Sequence, residues 1–377
     1  MLKPSEEDLR WAEGIWPKVR AKMEAECGRI GSAVPYTAVN GRYDDKMGKD
    51  LYWWTNGFWP GMLWLMYADT KDAQYRAASE KIEERLDAAF SGYEGLHHDV
   101  GFMWTLTSRL NYRLTGNAHS RTRALHAANL LAGRYNPRGR FIRAWNGDRP
   151  GWVIIDCMMN IPLLYWASRE IDDPRYKYIA MEHADTALKH LVRRDGSCNH
   201  IAVLDPNTGE LLETPAGQGY APGSAWSRGM SWGLYGFALS YVHTGEERYL
   251  DVAAKIARYV LDALRHAAFI PPVDYAAPVE PRRIDTSAGT IAAAGLLTLA
   301  GLDKNPERDL HREGAMNILK AIEAAHVDWD PQTDFFVKDG GVQYHIKNEE
   351  PHVPLIYGDY YFLESVYLLR NPGFEVW

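Results

Sequence analysis

The stretch that decides the fold is WGLYGFALSYVHTGEERYLDVAAKIARYV, residues 232–260. Its first part, Trp232 to Val242, is apolar nearly all round, whereas its last part, Tyr249 to Val260, is apolar on one face only. A helix that is apolar all round is buried, and a one-sided helix covers a core from outside. Gly245 between them is typical of a helix end. The stretch therefore predicts a hairpin of one inner and one outer helix.

The same order of helix, polar turn and helix recurs along the chain. With a helix from about Ser5 to Ile30 and a last one from about Gly358 to Leu369, the pattern gives about twelve helices, or six hairpins. We therefore predict an all-α fold, an (α/α)6 barrel in which six hairpins close into a toroid, with residues 1–377 as a single domain. An open α-solenoid is the competing layout, but solenoids keep a stricter period than this chain does. Similar turns lie at residues 69–75, 114–118, 171–176, 243–249 and 301–307.

Composition indicates an ordinary globular protein and excludes several classes of partner. The net charge of −7 argues against a nucleic acid or an anionic membrane as the main partner. The three cysteines, Cys27, Cys157 and Cys198, form no disulfide framework and indicate a reducing, cytoplasmic location. The N-terminus lacks the apolar core of a signal peptide, and no apolar stretch is long enough for a membrane helix. We expect a monomer or a weak homo-oligomer.

No cofactor and no metal ion is predicted. The chain has none of the motifs of zinc proteases, serine hydrolases or dinucleotide enzymes. Asp328, Asp330 and Asp334 have the spacing of a calcium loop, but the glycine that such a loop needs at its sixth position is missing.

Asp156 interrupts an apolar run, VIIDCMMNIPLLYW at residues 153–166, which we interpret as a buried helix. An ionised carboxylate buried without partners costs several kcal/mol or more, so a protein either neutralises it or uses it. Both outcomes suit a general acid. The alternative is an aspartate that only caps the N-terminus of the helix.

A second aspartate, Asp99, follows a pair of histidines and precedes the aromatic stretch from Phe102 to Leu106. Two helices that each begin with a carboxylate would bring both groups to the same end of a bundle. Pairs of carboxyl groups commonly act as the acid and the base in reactions of sugars. The alternatives are a helix cap for Asp99 and a solvated turn for His97 and His98.

Arg228 and Trp232 are four residues apart and share one face of a predicted helix. A cation beside an aromatic ring suits an anionic sugar, although Arg228 could equally bridge two loops. His200 lies in a polar loop, where a surface histidine is the commoner outcome. We expect four long loops to build a cleft over one end of the barrel: residues 135–152, 195–223, 270–285 and 328–357.

At these residues the chain resembles the unsaturated glucuronyl hydrolases of glycoside hydrolase family 88, whose fold is an (α/α)6 barrel. The matching blocks follow one another over nearly the whole chain. They are WTNGFWPGMLWLMY (54–67), LHHDVGF (96–102), VIIDCMMNIPLLYWA (153–167), GSAWSRGMSWGLYGFAL (223–239) and YGDYYFLE (357–364).

The resemblance implies an activity on oligosaccharides left by polysaccharide lyases, whose non-reducing end is a 4,5-unsaturated uronic acid. It implies that Asp156 protonates C4 and helps to activate the water that adds at C5. It also implies that Asp99 positions the substrate and keeps Asp156 protonated through like-charge repulsion. Substrate contacts implied by the same resemblance are Trp54, His98, Trp145, His200, Gln218, Arg228 and Trp232.

One departure from the family bears on substrate preference. Members that prefer sulfated fragments carry a Ser-x-x-Ser-x-Lys element, which the corresponding stretch Gly341 to Glu350 lacks. We therefore expect no sulfate preference through that element, with Lys347 as the alternative cation. The competing functions are an unsaturated rhamnogalacturonyl hydrolase of the sister family, an ordinary inverting glycosidase, and a non-catalytic α-toroid that binds saccharides or proteins.

Overall fold

The computed structural model describes residues 1–346 and 351–377, and helices dominate it. The short strands pair in three small antiparallel sheets, β1–β2, β3–β4 and β5–β6–β7. The helices are α1 (Glu6–Ile30), α2 (Lys46–Lys49), α3 (Phe58–Thr70), α4 (Ala73–Gly92), α5 (Val100–Trp104), α6 (Leu110–Thr115), α7 (Ala118–Ala132), α8 (Pro162–Glu170), α9 (Pro174–His190), α10 (Ser227–Thr244), α11 (Glu247–Arg265), α12 (Thr286–Ala300), α13 (Arg308–His326) and α14 (Ile356–Arg370). The strands are β1 (Ala38–Val39), β2 (Arg42–Tyr43), β3 (Tyr135–Asn136), β4 (Phe141–Ile142), β5 (Trp152–Ile154), β6 (Ile201–Leu204) and β7 (Leu211–Glu213).

Inner and outer helices alternate around a closed ring. Nearly all residues of α3, α10, α12 and α14 are buried, whereas α1, α4, α9, α11 and α13 bury one face. A π-helical segment, Thr105–Arg109, joins α5 to α6, and these form one inner helix between α4 and α7. Helix α14 packs against both α3 and α1, which closes the ring. The predicted all-α toroid is confirmed.

The deciding stretch forms the predicted hairpin of α10 and α11. Gly245 ends α10 in the left-handed conformation, with φ of 73°, and its amide donates to the carbonyl of Tyr241. Helix α1 begins where the sequence indicates, since Ser5 and Asp8 form a reciprocal capping box. None of the described helices combines the length and the apolar composition needed to cross a membrane.

The interpretation of residues 153–166 as one helix is wrong. Strand β5 ends at Ile154, a 3₁₀ turn covers Ile155–Met159, and α8 starts only at Pro162. Three successive β-branched residues favour a strand, and proline at the first helical position sets a helix start, so apolar content alone could not separate these elements. Asp156 therefore stands at a corner between strand and helix, and not inside a helix.

Candidate active site

Asp99 lies at the N-terminus of α5, but its side chain makes no capping hydrogen bond. Instead, its Oδ2 is 3.1 Å from Nδ1 of His97 and 3.4 Å from Nε2 of His98, and its Oδ1 accepts a hydrogen bond from Asn160 at 3.0 Å. Burial alone would raise the pKa of Asp99, but these neighbours outweigh it and lower the pKa to about 2. Asp99 is consequently ionised at neutral pH.

The two histidines before Asp99 do not form a solvated turn. His98 is 2% exposed, and its amide donates to the carbonyl of Ala144 at 3.2 Å. Burial lowers the pKa of His98 to about 4, although the Asp99 charge acts in the opposite direction. His98 is therefore neutral at pH 7 and contributes hydrogen bonding, not charge, to the site.

Asp156 faces a cavity with part of its side chain open to it, 18% exposed. Its Oδ2 lies 3.5 Å from Nε2 of His200 and has no hydrogen-bond partner among the described residues. The amide of Gln218 donates to Nδ1 of His200 at 3.0 Å, so a neutral His200 carries its proton on Nε2, toward Asp156. Oδ2 is thus a buried oxygen whose recorded ion-pair neighbour is His200, while another part of the side chain opens on the cavity.

Asn160 connects the two aspartates. Its side-chain amide donates to Oδ1 of Asp99 at 3.0 Å and to the main-chain carbonyl of Asp156 at 3.3 Å. Its side-chain carbonyl oxygen accepts a hydrogen bond from the backbone amide of Phe102 at 2.7 Å. This bond links the end of the 3₁₀ turn to α5. The side chain is fully buried, which makes this arrangement rigid.

This close approach requires a glycine at position 101. A Cβ at Gly101 would stand 2.4 Å from Cα and 2.5 Å from the carbonyl oxygen of Asn160. Those are backbone atoms, which cannot rotate away as a side-chain end does. Gly101 therefore sets the separation between the segment that carries Asp99 and the segment that carries Asp156.

Both aspartates line one cavity of about 290 Å³ at the N-terminal ends of the inner helices. Six of the seven predicted substrate contacts line it with them: Trp54, His98, Trp145, His200, Gln218 and Arg228. Trp232 does not. It is fully buried and packs on Phe102, with ring centroids 5.2 Å apart, so it supports the cavity from behind. The predicted direct contact of Trp232 with the substrate has no support in this geometry.

His200 is not the surface residue that its polar loop suggested, because it is 5% exposed and packs on Trp226 at 4.3 Å. Arg228 lines the cavity, and it also joins segments through Asp285 at 2.7 Å and the carbonyl of Val342 at 2.6 Å. Because Asp285 already pairs with Arg228, the cation offered to a substrate is partly compensated.

Several cavity residues were not predicted from the sequence. Tyr357 lies inside a block already quoted, whereas Asn160, which connects the two aspartates, gives no signal among its apolar neighbours. Tyr36 and Trp53 precede α3 and give no periodic signal, because Tyr36 lies in the loop before β1 and Trp53 lies just before the 3₁₀ turn Trp54–Gly57. The missed lining residues are Tyr36, Trp53, His97, Ile154, Val342 and Tyr357.

Of the described residues, one group has ligand atoms close enough to hold a metal ion: His97, His98 and Asp99, all within 4.8 Å of one another. The contacts of Asp99 Oδ2 with Nδ1 of His97 and Nε2 of His98 bring the same atoms together. Of the three aspartates whose spacing is like that of a calcium loop, Asp334 forms ion pairs with Arg29 at 2.7 Å and Arg42 at 3.0 Å. Lys347, the alternative cation for sulfate, lies outside the described residues.

Comparisons with known proteins agree with the fold. The model of Glycosyl Hydrolase Family 88 matches residues 32–268. The unsaturated glucuronyl hydrolase of Bacillus sp. (strain GL1) is 36% identical over 338 residues, covering 86% of this chain and 88% of that protein. The unsaturated chondroitin disaccharide hydrolase of Streptococcus pyogenes serotype M1 is 32% identical over 83% of this chain and 80% of its own length.

Similarity in three dimensions is equally extensive. The crystal structure of the unsaturated glucuronyl hydrolase from Bacillus sp. GL1 superposes with a TM-score of 0.89 at 31% sequence identity, covering 97% of each chain. The structural similarity between the two proteins therefore extends over the barrel and over the loops that form the cavity. This chain belongs to glycosyl hydrolase family 88 and is a glycoside hydrolase.

Proposed function

We propose that the protein removes the 4,5-unsaturated uronic acid from the non-reducing end of oligosaccharides produced by polysaccharide lyases. The reaction adds water across the enol-ether double bond, with the proton at C4 and the hydroxyl at C5. The resulting hemiketal opens, which releases the remaining sugar and a 4-deoxy-5-keto uronate. The observation that carries this proposal is the pair Asp156 and Asp99, joined by Asn160 on one wall of the cavity.

Asp156 is the proton donor in this scheme. No hydrogen bond among the described residues engages its buried Oδ2, which supports the assignment, because a carboxyl group held by strong hydrogen bonds would transfer a proton to carbon less readily. After donating to C4, the carboxylate accepts a proton from the water that attacks C5, so the residue returns to its starting state. His200, whose Nε2 lies 3.5 Å from that oxygen, stabilises the carboxylate in between.

Asp99 binds and orients the substrate in this scheme. Its Oδ2, surrounded by His97 and His98, is a charged acceptor for sugar hydroxyl groups. Trp54 and Trp145 offer aromatic faces to the sugar rings, and Arg228 offers a cation to the uronate.

The relatives support the same substrate class. The matched proteins act, by their names, on unsaturated glucuronyl groups and on an unsaturated chondroitin disaccharide. We further propose a cytoplasmic location, which the buried, unpaired state of Cys27, Cys157 and Cys198 supports. A monomer or weak homo-oligomer, without nucleic acid as a partner, remains our expectation from the net charge of −7 and the composition.

A panel of lyase products from chondroitin, hyaluronan, heparin, gellan and ulvan tests the function. The ultraviolet absorbance of the C4–C5 double bond should fall as each accepted substrate is hydrated. Saturated glycosides of the same composition should be inert. Hydrolysis of the saturated compounds while the unsaturated ones persist would replace the proposal with ordinary glycosidase chemistry, and rhamnogalacturonan products as the sole substrates would favour the sister family.

Asp156→Asn tests the role of the acid. The amide keeps the size of the side chain but carries no transferable acidic proton, so turnover should be abolished while oligosaccharide binding and the denaturation midpoint are retained. Asp148→Asn is the matched control, since Asp148 is exposed on the loop that carries Trp145 and does not line the cavity. Near-normal turnover in Asp156→Asn would remove this residue from the role.

A further inference from the structure

A second groove lies behind the wall that carries Trp145, and it is strongly basic. Three arginines, Arg134, Arg138 and Arg143, line this groove of about 530 Å³, and Glu94 is the one acidic residue among its described lining residues. The protein as a whole has a net charge of −7. A local excess of positive charge in an acidic protein attracts anions to that place.

Among the described residues, no carboxylate forms an ion pair with these three arginines, and their hydrogen bonds go to oxygens without charge. Arg134 donates to the carbonyls of residues 96, 143 and 144 and to the side-chain oxygen of Asn146. Arg138 donates to the carbonyl of Asn207 at 3.3 Å, and Arg143 to that of Gly147 at 2.7 Å. Neutral acceptors satisfy the donors but leave the positive charges uncompensated.

Of the three arginines, Arg143 has a donor nitrogen that lacks a hydrogen-bond acceptor among the described residues. Its Nε is buried and has no hydrogen-bond partner in the described part of the chain. Burial and, to a lesser extent, the neighbouring Arg143 charge lower the pKa of Arg134 to about 10. Two neighbouring cations that repel each other would be stabilised by an anion bound in the groove that both of them line.

The rest of the groove suits a sugar chain. Tyr93, Tyr135 and Pro150 contribute ring surfaces, and Asn146 lies at the boundary with the active-site cavity. Residues adjacent in sequence line the two spaces, since Trp145 lines the cavity and Asn146 lines the groove. Asn146 also donates to the carbonyls of Glu94 and Leu96, so one thin wall separates them.

We propose that this groove is a second saccharide site, in which Arg138 and Arg143 bind the carboxylate of a uronate in an acidic oligosaccharide. The proposal rests on the proposed function only in its choice of an acidic saccharide as ligand. The oligosaccharide has two sources. It is either the reducing-end part of the substrate whose unsaturated residue occupies the cavity, or a separate polysaccharide chain to which the enzyme attaches.

The test measures binding of a saturated hyaluronan hexasaccharide, which carries carboxylates but no double bond, by titration calorimetry at low and high salt. The double substitution R138A/R143A should weaken this binding by about tenfold, the effect of losing one charge-assisted hydrogen bond. Arg20→Ala is the matched control, because Arg20 is an exposed arginine without a recorded carboxylate partner on α1, outside the groove. Equal binding by R138A/R143A and Arg20→Ala would overturn the proposal.

Kinetics separates the two sources. If the groove holds the substrate's own reducing end, R138A/R143A raises KM for an unsaturated hyaluronan hexasaccharide but not for the unsaturated disaccharide. If it holds a separate chain, KM for both substrates is unchanged although hexasaccharide binding is lost. Retained turnover of the disaccharide keeps this test independent of the proposed function, and an unchanged denaturation midpoint shows that the variant is folded.

Discussion

Gly101→Ala tests whether the site depends on close packing between the segments that carry the two aspartates. The added Cβ would stand 2.4 Å from Cα of Asn160, about 1 Å short of the 3.4 Å at which ordinary contact begins. Because the opposing atoms belong to the backbone, the 3₁₀ turn with Asp156 must move away from α5 by about that amount. The hydrogen bond from Asn160 to Asp99, now 3.0 Å, would lengthen or break.

A misplacement of about 1 Å in a catalytic constellation costs roughly 10²-fold in rate. We therefore expect kcat of Gly101→Ala to fall by about that factor, and the free energy of unfolding to fall by about 1–3 kcal/mol through overpacking. Initial rates from the ultraviolet absorbance of an unsaturated disaccharide measure the first effect. Urea denaturation measures the second.

Gly14→Ala is the control for the methyl group itself. Gly14 lies within α1, and a Cβ there would meet nothing within 4 Å, so this variant should keep full activity and gain slightly in stability. If Gly101→Ala retained the kcat and stability of the wild type, the two segments would not be held at the separation described, and the argument from Asn160 would fail.

Three further predictions follow from buried groups. Arg228→Ala should raise KM and lower the free energy of unfolding by about 3–5 kcal/mol, because it leaves Asp285 buried without its cation; an unchanged KM would count against a contact with the uronate. Burial lowers the pKa of His183 to about 3, so the unfolded state binds more protons below the ordinary value of 6.5, and stability should fall by about 1.4 kcal/mol per pH unit as pH drops from there. Urea titrations should show that slope flattened in His183→Gln, and an equal slope in both proteins would contradict the linkage. Trp377→Ala should lower stability by about 3–5 kcal/mol, because this fully buried ring donates to Glu364 at 2.7 Å; a change below about 1 kcal/mol in urea would refute its place in the core.

The helices were predictable because their signal is local. An apolar helix followed by a turn and a one-sided helix can be read within residues 232–260, and the structure forms α10 and α11 there. The same reasoning failed at residues 153–166, where strand, 3₁₀ turn and helix are all buried and equally apolar. Periodicity cannot separate elements that have no exposed face.

The candidate site was only partly visible in the sequence. Asp99 and Asp156 drew attention because charged residues in apolar surroundings are costly, and both line the cavity. Trp232 was chosen for its spacing from Arg228, yet it faces the interior, where it packs on Phe102. Asn160 was missed, because an asparagine among apolar residues gives no signal until its partners are known.

By itself, the sequence determined the ring of alternating helices and the presence of two unusual carboxyl groups, since both depend on patterns within a few turns of chain. Only the tertiary structure decided which side chains meet. The bridge from Asn160 to Asp99 spans 61 residues, and the pair of His200 and Asp156 spans two different loops. Such contacts depend on how the helices pack around the ring. The close contact between the backbones of Gly101 and Asn160 sets the distance between the segment that carries Asp99 and the segment that carries Asp156.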